Sequence, residues 1–362
     1  MHTLLRNTLA AAVITASLFT FGCNSAANLD GNENPAVVTA SAASAKMSYW
    51  TENSLAAADI TDYVKSVTDK NSPDFIPEED RIAVFDLDGT LVGETYPSYF
   101  DWVMFTHRVL HDPSYKATPE MKKFARELDE GWKTGKLPKG AEKTHAALST
   151  ETFKDLTIEE LKDYARKFKE TPAAGFNNLK KGDAFFLPMV SLVKYLQANG
   201  FAVFIVSGTE RNIVRVIIEG VLDVPPHMVL GTDGYLVASH QNGKDGLDYV
   251  YQPDDKLIYN GKLITKNVKM NKVPIIAREI GKVPVLAFGN SSGDLSIAQY
   301  ITNNTKYKSR AYILLGNDAV REHGSEDKVV SLKKYCDEHG FHTISMKDDF
   351  ATVYGDNVTL AK

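Results

Sequence analysis

The segment Phe85-Asp86-Leu87-Asp88-Gly89-Thr90 sets two carboxylates two residues apart at the end of an apolar run. If that run is a strand, both acids sit at the carboxyl rim where α/β sheets bind ligands. Gly89 permits the sharp turn that brings both to one site. One carboxylate can attack phosphorus and form a phosphoryl-aspartate, while the second protonates the leaving oxygen and then activates water. A carboxylate and a phosphate dianion repel each other, so this chemistry calls for a metal. Ser207-Gly208-Thr209 ends a second apolar run, and its hydroxyl and backbone N–H groups suit phosphate oxygens. Gly289-Asn290-Ser291-Ser292-Gly293-Asp294 is a glycine-rich turn carrying one amide and one carboxylate, which can complete an all-oxygen site for a hard cation. Lys272 can neutralise charge on both nucleophile and phosphate; Lys269, three residues earlier, is the alternative.

These groups need a frame. Five apolar runs read as strands covered on both faces: residues 81–85, 201–206, 227–230, 283–288 and 311–315. Helical patterns alternate with them, over about 188–199, 210–219 and 272–280, with Pro just inside a start and Gly just past each end. Strands alternating with helices predict a parallel sheet in an α/β fold. Residues 95–183 break the alternation. They contain no strand pattern but predict helices over 97–110, 119–134 and 158–169, the last with Thr157 and Glu160 in capping-box spacing. This is a helical insertion between the first two core strands.

Taken in order, Asp86–Thr90, Ser207, Lys272 and Asn290–Asp294 resemble the four motifs of the haloacid-dehalogenase superfamily. The likeness is nearer to the phosphoserine-phosphatase and phosphorylcholine-phosphatase branch: Val224–Thr232 looks like the segment after the second motif in phosphoserine phosphatases, and GNSSGD resembles acid-phosphatase-like members. The resemblance implies a Rossmann-like parallel core over 47–94 and 184–362, with a helical cap at 95–183. It implies a magnesium-dependent hydrolase of a small phosphate monoester. Asp86 would be nucleophile and metal ligand. Asp88 would be general acid/base and offer its carbonyl to the metal. Ser207, Gly208 and Lys272 would bind the phosphoryl group, and Asn290 and Asp294 would complete the metal site. Dehalogenases of the superfamily lack the second aspartate. The alternatives are a phosphotransferase or mutase using the same intermediate, or a phosphoryl-binding lipoprotein without turnover. One position departs from the family: Asn290 stands where many members carry Asp, removing a charge from the metal site.

Just after the first motif, Tyr96, Tyr99, Phe100, Trp102 and Phe105 lie within ten residues. Helical spacing places Tyr96, Tyr99 and Phe100 on one face. They either pack the cap or, with Glu94, line a substrate pocket, for instance around an organic cation.

The composition of the 362 residues, 43% hydrophobic and 24% charged, is ordinary for a globular protein. The net charge of −5 and the absence of a basic stripe argue against nucleic acid as a partner. Residues 1–22 read as a lipoprotein-type signal: Arg6, then an apolar stretch from Leu9 to Phe21, then Gly22 before Cys23. Thr20 stands where such sites usually have Leu. Cys23 would carry lipid, and residues 23–46, rich in Ala, Ser and Asn, would be a flexible tether. The protein is then expected to be exported and to face the periplasm or exterior, touching membrane only through that anchor; the alternative is plain secretion as a soluble periplasmic protein. With Cys23 lipidated, Cys336 has no internal partner, so no disulfide is expected.

Overall fold

The run Ile82–Phe85 becomes strand β1, buried at all four positions. In the computed structural model, which describes residues 46–94 and 97–361, helix α1 (Leu55–Thr68) precedes it, capped by the Ser54 hydroxyl. The signal, Cys23 and nearly all of the tether lie outside the described residues, as does Tyr96. After β1 come α2 (Phe100–Leu110), α3 (Pro119–Thr134), α4 (Ala141–Thr152), α5 (Ile158–Lys169) and a two-residue strand β2 (Phe176–Asn177). Then follow α6 (Leu187–Ala198), β3 (Ala202–Glu210), α7 (Arg211–Ile218), β4 (Val229–Ala238) and β5 (Leu257–Thr265). The remainder is α8 (Lys272–Glu279), β6 (Leu286–Gly289), α9 (Leu295–Thr302), β7 (Arg310–Leu315), α10 (Glu326–His339), β8 (His342–Ser345), α11 (Met346–Asp349) and β9 (Thr359–Leu360). The described residues belong to one compact unit.

The expected α/β fold is borne out. Seven strands form one sheet in the order β5-β4-β3-β1-β6-β7-β8. Every neighbouring pair is parallel except the β4–β5 hairpin. The chain leaves β1 for β3 on one side and returns to β6 on the other. That reversal opens a crevice at the carboxyl ends of β1, β3 and β6. Just beneath it, the Phe85 and Phe288 rings stack at 4.3 Å, and Phe288 stacks on Tyr312 at 5.2 Å. Such pairs add about 0.5–1.5 kcal/mol beyond the area they bury, and they hold β1, β6 and β7 in register below Asp86 and Asn290.

Sequence reading missed β5 and β8. Both are edge strands, half exposed, with Asn, Gly and Lys in one and His, Thr and Ser in the other. A strand solvated on one side carries no continuous apolar run. It also ended β3 too early. The strand continues to Glu210, and its pairing with β4 shifts register between Val206 and Glu210. Ser207-Gly208-Thr209 therefore occupies a bulge within a strand rather than a turn beyond it, and a bulge re-aims side chains.

Within the inserted helices, α3 starts on the Thr118 cap with Pro119 at its first position and stops at left-handed Gly135. α5 has the reciprocal Thr157–Glu160 capping box. α4 escaped notice because Ala, Ser and Thr give it no apolar stripe; those small side chains let it pack between α2 and β5. Trp102, Phe105 and Val109 of α2 join Met121, Phe124 and Leu128 of α3 in a separate apolar cluster. Phe100 on α2 and Leu161, Ala165 and Phe168 on α5 face the main core instead. The insertion is thus anchored along one wall and free to form a roof with the other. It contains one strand, β2, which pairs with β9 and was not expected.

Candidate active site

Asp86 follows β1 directly, and its N–H still donates to Phe288 O at 2.9 Å, continuing the sheet pairing. The chain then turns, with Leu91 N–H donating to Leu87 O and Gly89 N–H to Val92 O. Gly89 has φ +80°, and a Cβ there would lie 2.0 Å from Asn290 Nδ2 and 2.6 Å from Glu94 Cδ. Only glycine allows this backbone and this close approach of the fourth-motif loop.

Lys272, the first residue of α8, is 3% exposed. Its Nζ donates to Asp86 Oδ1 at 2.6 Å and to Asp294 Oδ1 at 2.8 Å. Lys269 also lines the cavity, but at its mouth: it has φ +55°, and its exposed ammonium lies 3.5 Å from Glu142 rather than against Asp86. Asp294 Oδ2 accepts the Asn290 and Ser291 N–H groups at 3.1 and 3.3 Å. Asp294, expected as a metal ligand, thus has both oxygens committed to holding the lysine and the loop. The Asn290 amide donates to Glu94 Oε1 at 2.9 Å, which turns its Oδ1 toward Thr90 Oγ1; that hydroxyl is equally 3.5 Å from Asp86 Oδ2. Asp86 Oδ2 and Asn290 Oδ1 therefore face a common space.

Asp88 Oδ2 accepts the Thr209 hydroxyl at 2.8 Å and more distantly that of Ser207 at 3.4 Å. Asp88 Oδ1 is buried without any partner. A cavity of about 540 Å³ opens over these groups, lined by Asp86, Asp88, Lys272, Gly208, Thr209 and Asn290. Ser207 is fully buried and does not line it; its Oγ accepts the Thr209 N–H at 3.0 Å. Ser207, expected to contact the phosphoryl group, is placed beside Asp88 and behind the cavity wall. The bulge turns Thr209 to the cavity and Ser207 behind it.

The roof of the cavity brings Glu94, Tyr99, Asp101 and Trp102 together with the 137–142 loop. Tyr99 and Phe100 do not share a face, because α2 begins at Phe100 and Tyr99 precedes its first turn. Tyr99 looks into the cavity, its ring 5.8 Å from that of Trp102, whereas Phe100 packs on Phe168 in the core. Thr209, Asp101 and Lys266 are lining residues that sequence reasoning did not single out. Thr209 sat inside a recognised motif. Lys266 follows β5, a strand the pattern did not reveal, and Asp101 looked like an ordinary acid in a first helical turn.

Acids outnumber cations here. Burial, then the neighbouring Asp294, push Asp86 up to about 7 against the pull of Lys272. Burial also raises Asp88, and burial together with Asp88 and Asp86 raises Glu94 well above the carboxylate range. Burial alone would lower Lys272, but Asp294 and Asp86 outweigh it and keep the ammonium charged. Among the described residues no three His, Cys, Asp or Glu side chains form a ready metal cluster. A cation here would draw on the Asn290 amide and a main-chain carbonyl as well as Asp86. Such an all-oxygen donor set beside excess negative charge fits a hard divalent ion such as magnesium.

No curated protein matches this chain. Among solved structures it is similar to a protein of unknown function from Anaerococcus prevotii, with 15% identity and a TM-score of 0.49, over 85% of this chain and 99% of that one. It is similar to another from Bordetella pertussis Tohama I, with 16% identity and a TM-score of 0.47, over 73% and 97%. A third similarity is to a phosphoserine phosphohydrolase-like protein from Francisella tularensis, with 14% identity and a TM-score of 0.39, over 70% and 92%. The family described as haloacid dehalogenase-like hydrolase matches residues 83–299, more than half the chain, from within β1 through the fourth motif. With all four motif segments converging on one crevice, this chain belongs to the haloacid dehalogenase-like hydrolases.

Proposed function

We propose that this hydrolase cleaves phosphate monoesters through a phosphoryl group carried on Asp86. The observation that carries the reading is the second acid, Asp88. It is held by Thr209 through one oxygen, and its other oxygen is buried and unpartnered beside the cavity. An Asp86 oxygen attacks phosphorus as the ester P–O bond breaks, and Asp88 gives its proton to the departing alkoxide. Asp88, now a carboxylate, takes a proton from water. The water oxygen attacks phosphorus and releases Asp86 and inorganic phosphate. Lys272 offsets the charge of Asp86 and of the phosphoryl oxygens, and the Gly208-Thr209 backbone lies where those oxygens can be held. Magnesium, held by Asp86, the Asp88 carbonyl and the Asn290 amide, supplies further charge neutralisation when bound.

The test is turnover of p-nitrophenyl phosphate with magnesium, together with phosphate left on acid-quenched protein. Wild type acquires label from a radioactive ester; Asp86→Asn, nearly isosteric, neither acquires label nor turns over. Near-normal turnover by Asp86→Asn refutes the intermediate. On the sequence features of residues 1–46 we place the enzyme outside the cytoplasm, tethered through lipid on Cys23. Mass spectrometry of the native N-terminus decides this, and a free thiol on Cys23 refutes it.

A further inference from the structure

Asp101 and Lys266 meet at the roof of the cavity from distant parts of the chain. Asp101 lies in the first turn of α2 and Lys266 just after β5. Both line the cavity, and their side chains are only 6% and 13% exposed. One is an ammonium and the other a carboxyl that burial pushes up to about 7, yet the Lys266 Nζ to Asp101 Oδ2 distance is 4.0 Å, too long for a hydrogen bond. Lys266 Nζ donates to Gly208 O at 2.7 Å, which leaves two of its three N–H directions for other partners.

We infer that Asp101 and Lys266 together read a hydroxyl group on the leaving alcohol, so that the preferred substrate is the phosphate ester of a polyol or sugar. The inference rests on the phosphatase reading above. An oxygen about 2.8 Å from each side of a 4.0 Å gap subtends roughly 90° there, an angle a hydroxyl can bridge by accepting from one partner and donating to the other. An ammonium group only donates and would face the Lys266 charge. A carboxylate only accepts and would face Asp101.

The position also says which hydroxyl is read. Gly208, which Lys266 holds, precedes Thr209, which holds Asp88. Asp88 protonates the ester oxygen of the departing alcohol, so the hydroxyl lies within a few bonds of that oxygen. The apolar face of such a molecule has a wall to lie against. Trp102 lines the cavity, and its ring is stacked at 4.5 Å on His145, which fixes its orientation.

The experiment compares kcat/KM, with magnesium present, for glycerol 1-phosphate and for n-propyl phosphate, which lacks only the two hydroxyls. p-Nitrophenyl phosphate, choline phosphate and O-phosphoserine complete the panel. Leaving both buried polar groups without the bridging hydroxyl costs the propyl ester about 10- to 100-fold. In Lys266→Met and in Asp101→Ala the glycerol-to-propyl ratio falls to within about threefold of unity. A ratio taken within one protein is unmoved by a general loss of folding or activity. If wild type cleaves p-nitrophenyl phosphate but shows a ratio near unity, water occupies the gap and the inference is overturned. Preference for choline phosphate or phosphoserine overturns it too. If no ester is cleaved, the phosphatase reading fails first and takes the inference with it.

Discussion

Lys272→Met removes the one ammonium shared by Asp86 and Asp294, in a site where all three side chains are under 10% exposed. Removing one partner of a buried ion pair typically costs about 3–5 kcal/mol, because it strands a charge. Two carboxylates are stranded here, but they do not respond alike. Asp86 titrates at about 7 even with the lysine present, so near neutral pH it takes up a proton at little further cost. Asp294 keeps two backbone N–H donors but loses its cation. The expected loss at pH 7 in chelator is therefore near the lower figure, about 3 kcal/mol. The sign above pH 7 follows from linkage. An acid whose folded pKa is raised above the unfolded value imposes a penalty that grows with pH until the folded pKa is passed, and then levels off. In wild type that levelling comes near pH 7; without Lys272 it comes later. Each further pH unit adds up to about 1.4 kcal/mol, so the difference should reach about 5 kcal/mol at pH 8.5. Urea denaturation of both proteins at the two pH values measures this. Lys272→Met with Asp86→Asn should lose the pH-dependent part, because the acid that titrates in this range is gone. A single-variant loss below about 1 kcal/mol at pH 8.5, or one that does not grow with pH, would refute this electrostatic account.

Trp102→Ala should lower the melting temperature as well as weaken substrate binding, since the ring is 6% exposed and packs in the α2–α3 cluster; a loss of about 3–5 kcal/mol is expected. Tyr99→Ala, at the cavity edge and 37% exposed, should raise KM with little change in melting; equal destabilisation by both would mean that Tyr99 is packing too. Activity should vanish on chelation and return with magnesium, and Asn290→Asp should reach half-maximal activity at several-fold less magnesium because it adds a charge to the ligand set; chelated wild type that stays active refutes the metal site. Burial opposes ionisation of Asp255, but hydrogen bonds from Gln252 N–H, the Tyr249 hydroxyl, His240 N–H and the Ser239 hydroxyl outweigh it and hold the carboxyl down at about 2. Its contribution is therefore complete above about pH 4 and lost toward pH 2, so hydrogen exchange in the 239–256 loop should accelerate over that window, and already at pH 7 in Asp255→Asn. Unchanged protection down to pH 2 counts against the Asp255 network as the clasp of that loop.

Local information was enough for the central strands, for most helices and for the family. Ile82–Phe85 is buried on both faces, so its apolar run is continuous, and Asp86 and Asp88 are covalently bound to its end. Thr118-Pro119 and the Thr157–Glu160 box bound their helices through contacts spanning three residues or fewer. Such features are written within a few positions of one another, which is why they can be read along the chain. The edge strands β5 and β8 could not be, because a half-solvated strand needs no apolar run and owes its existence to its neighbour. The sequence favoured Lys272 over Lys269, and the tertiary structure adds the distance: three residues of helix entry leave one ammonium exposed beside Glu142 and set the other 2.6 Å from Asp86. Tertiary structure alone turned Thr209 rather than Ser207 toward the cavity, through a bulge defined by pairing with β4. It alone set Asp101 beside Lys266, because the gap between them is fixed by how α2 and the end of β5 pack, and no local pattern records the packing of segments that far apart.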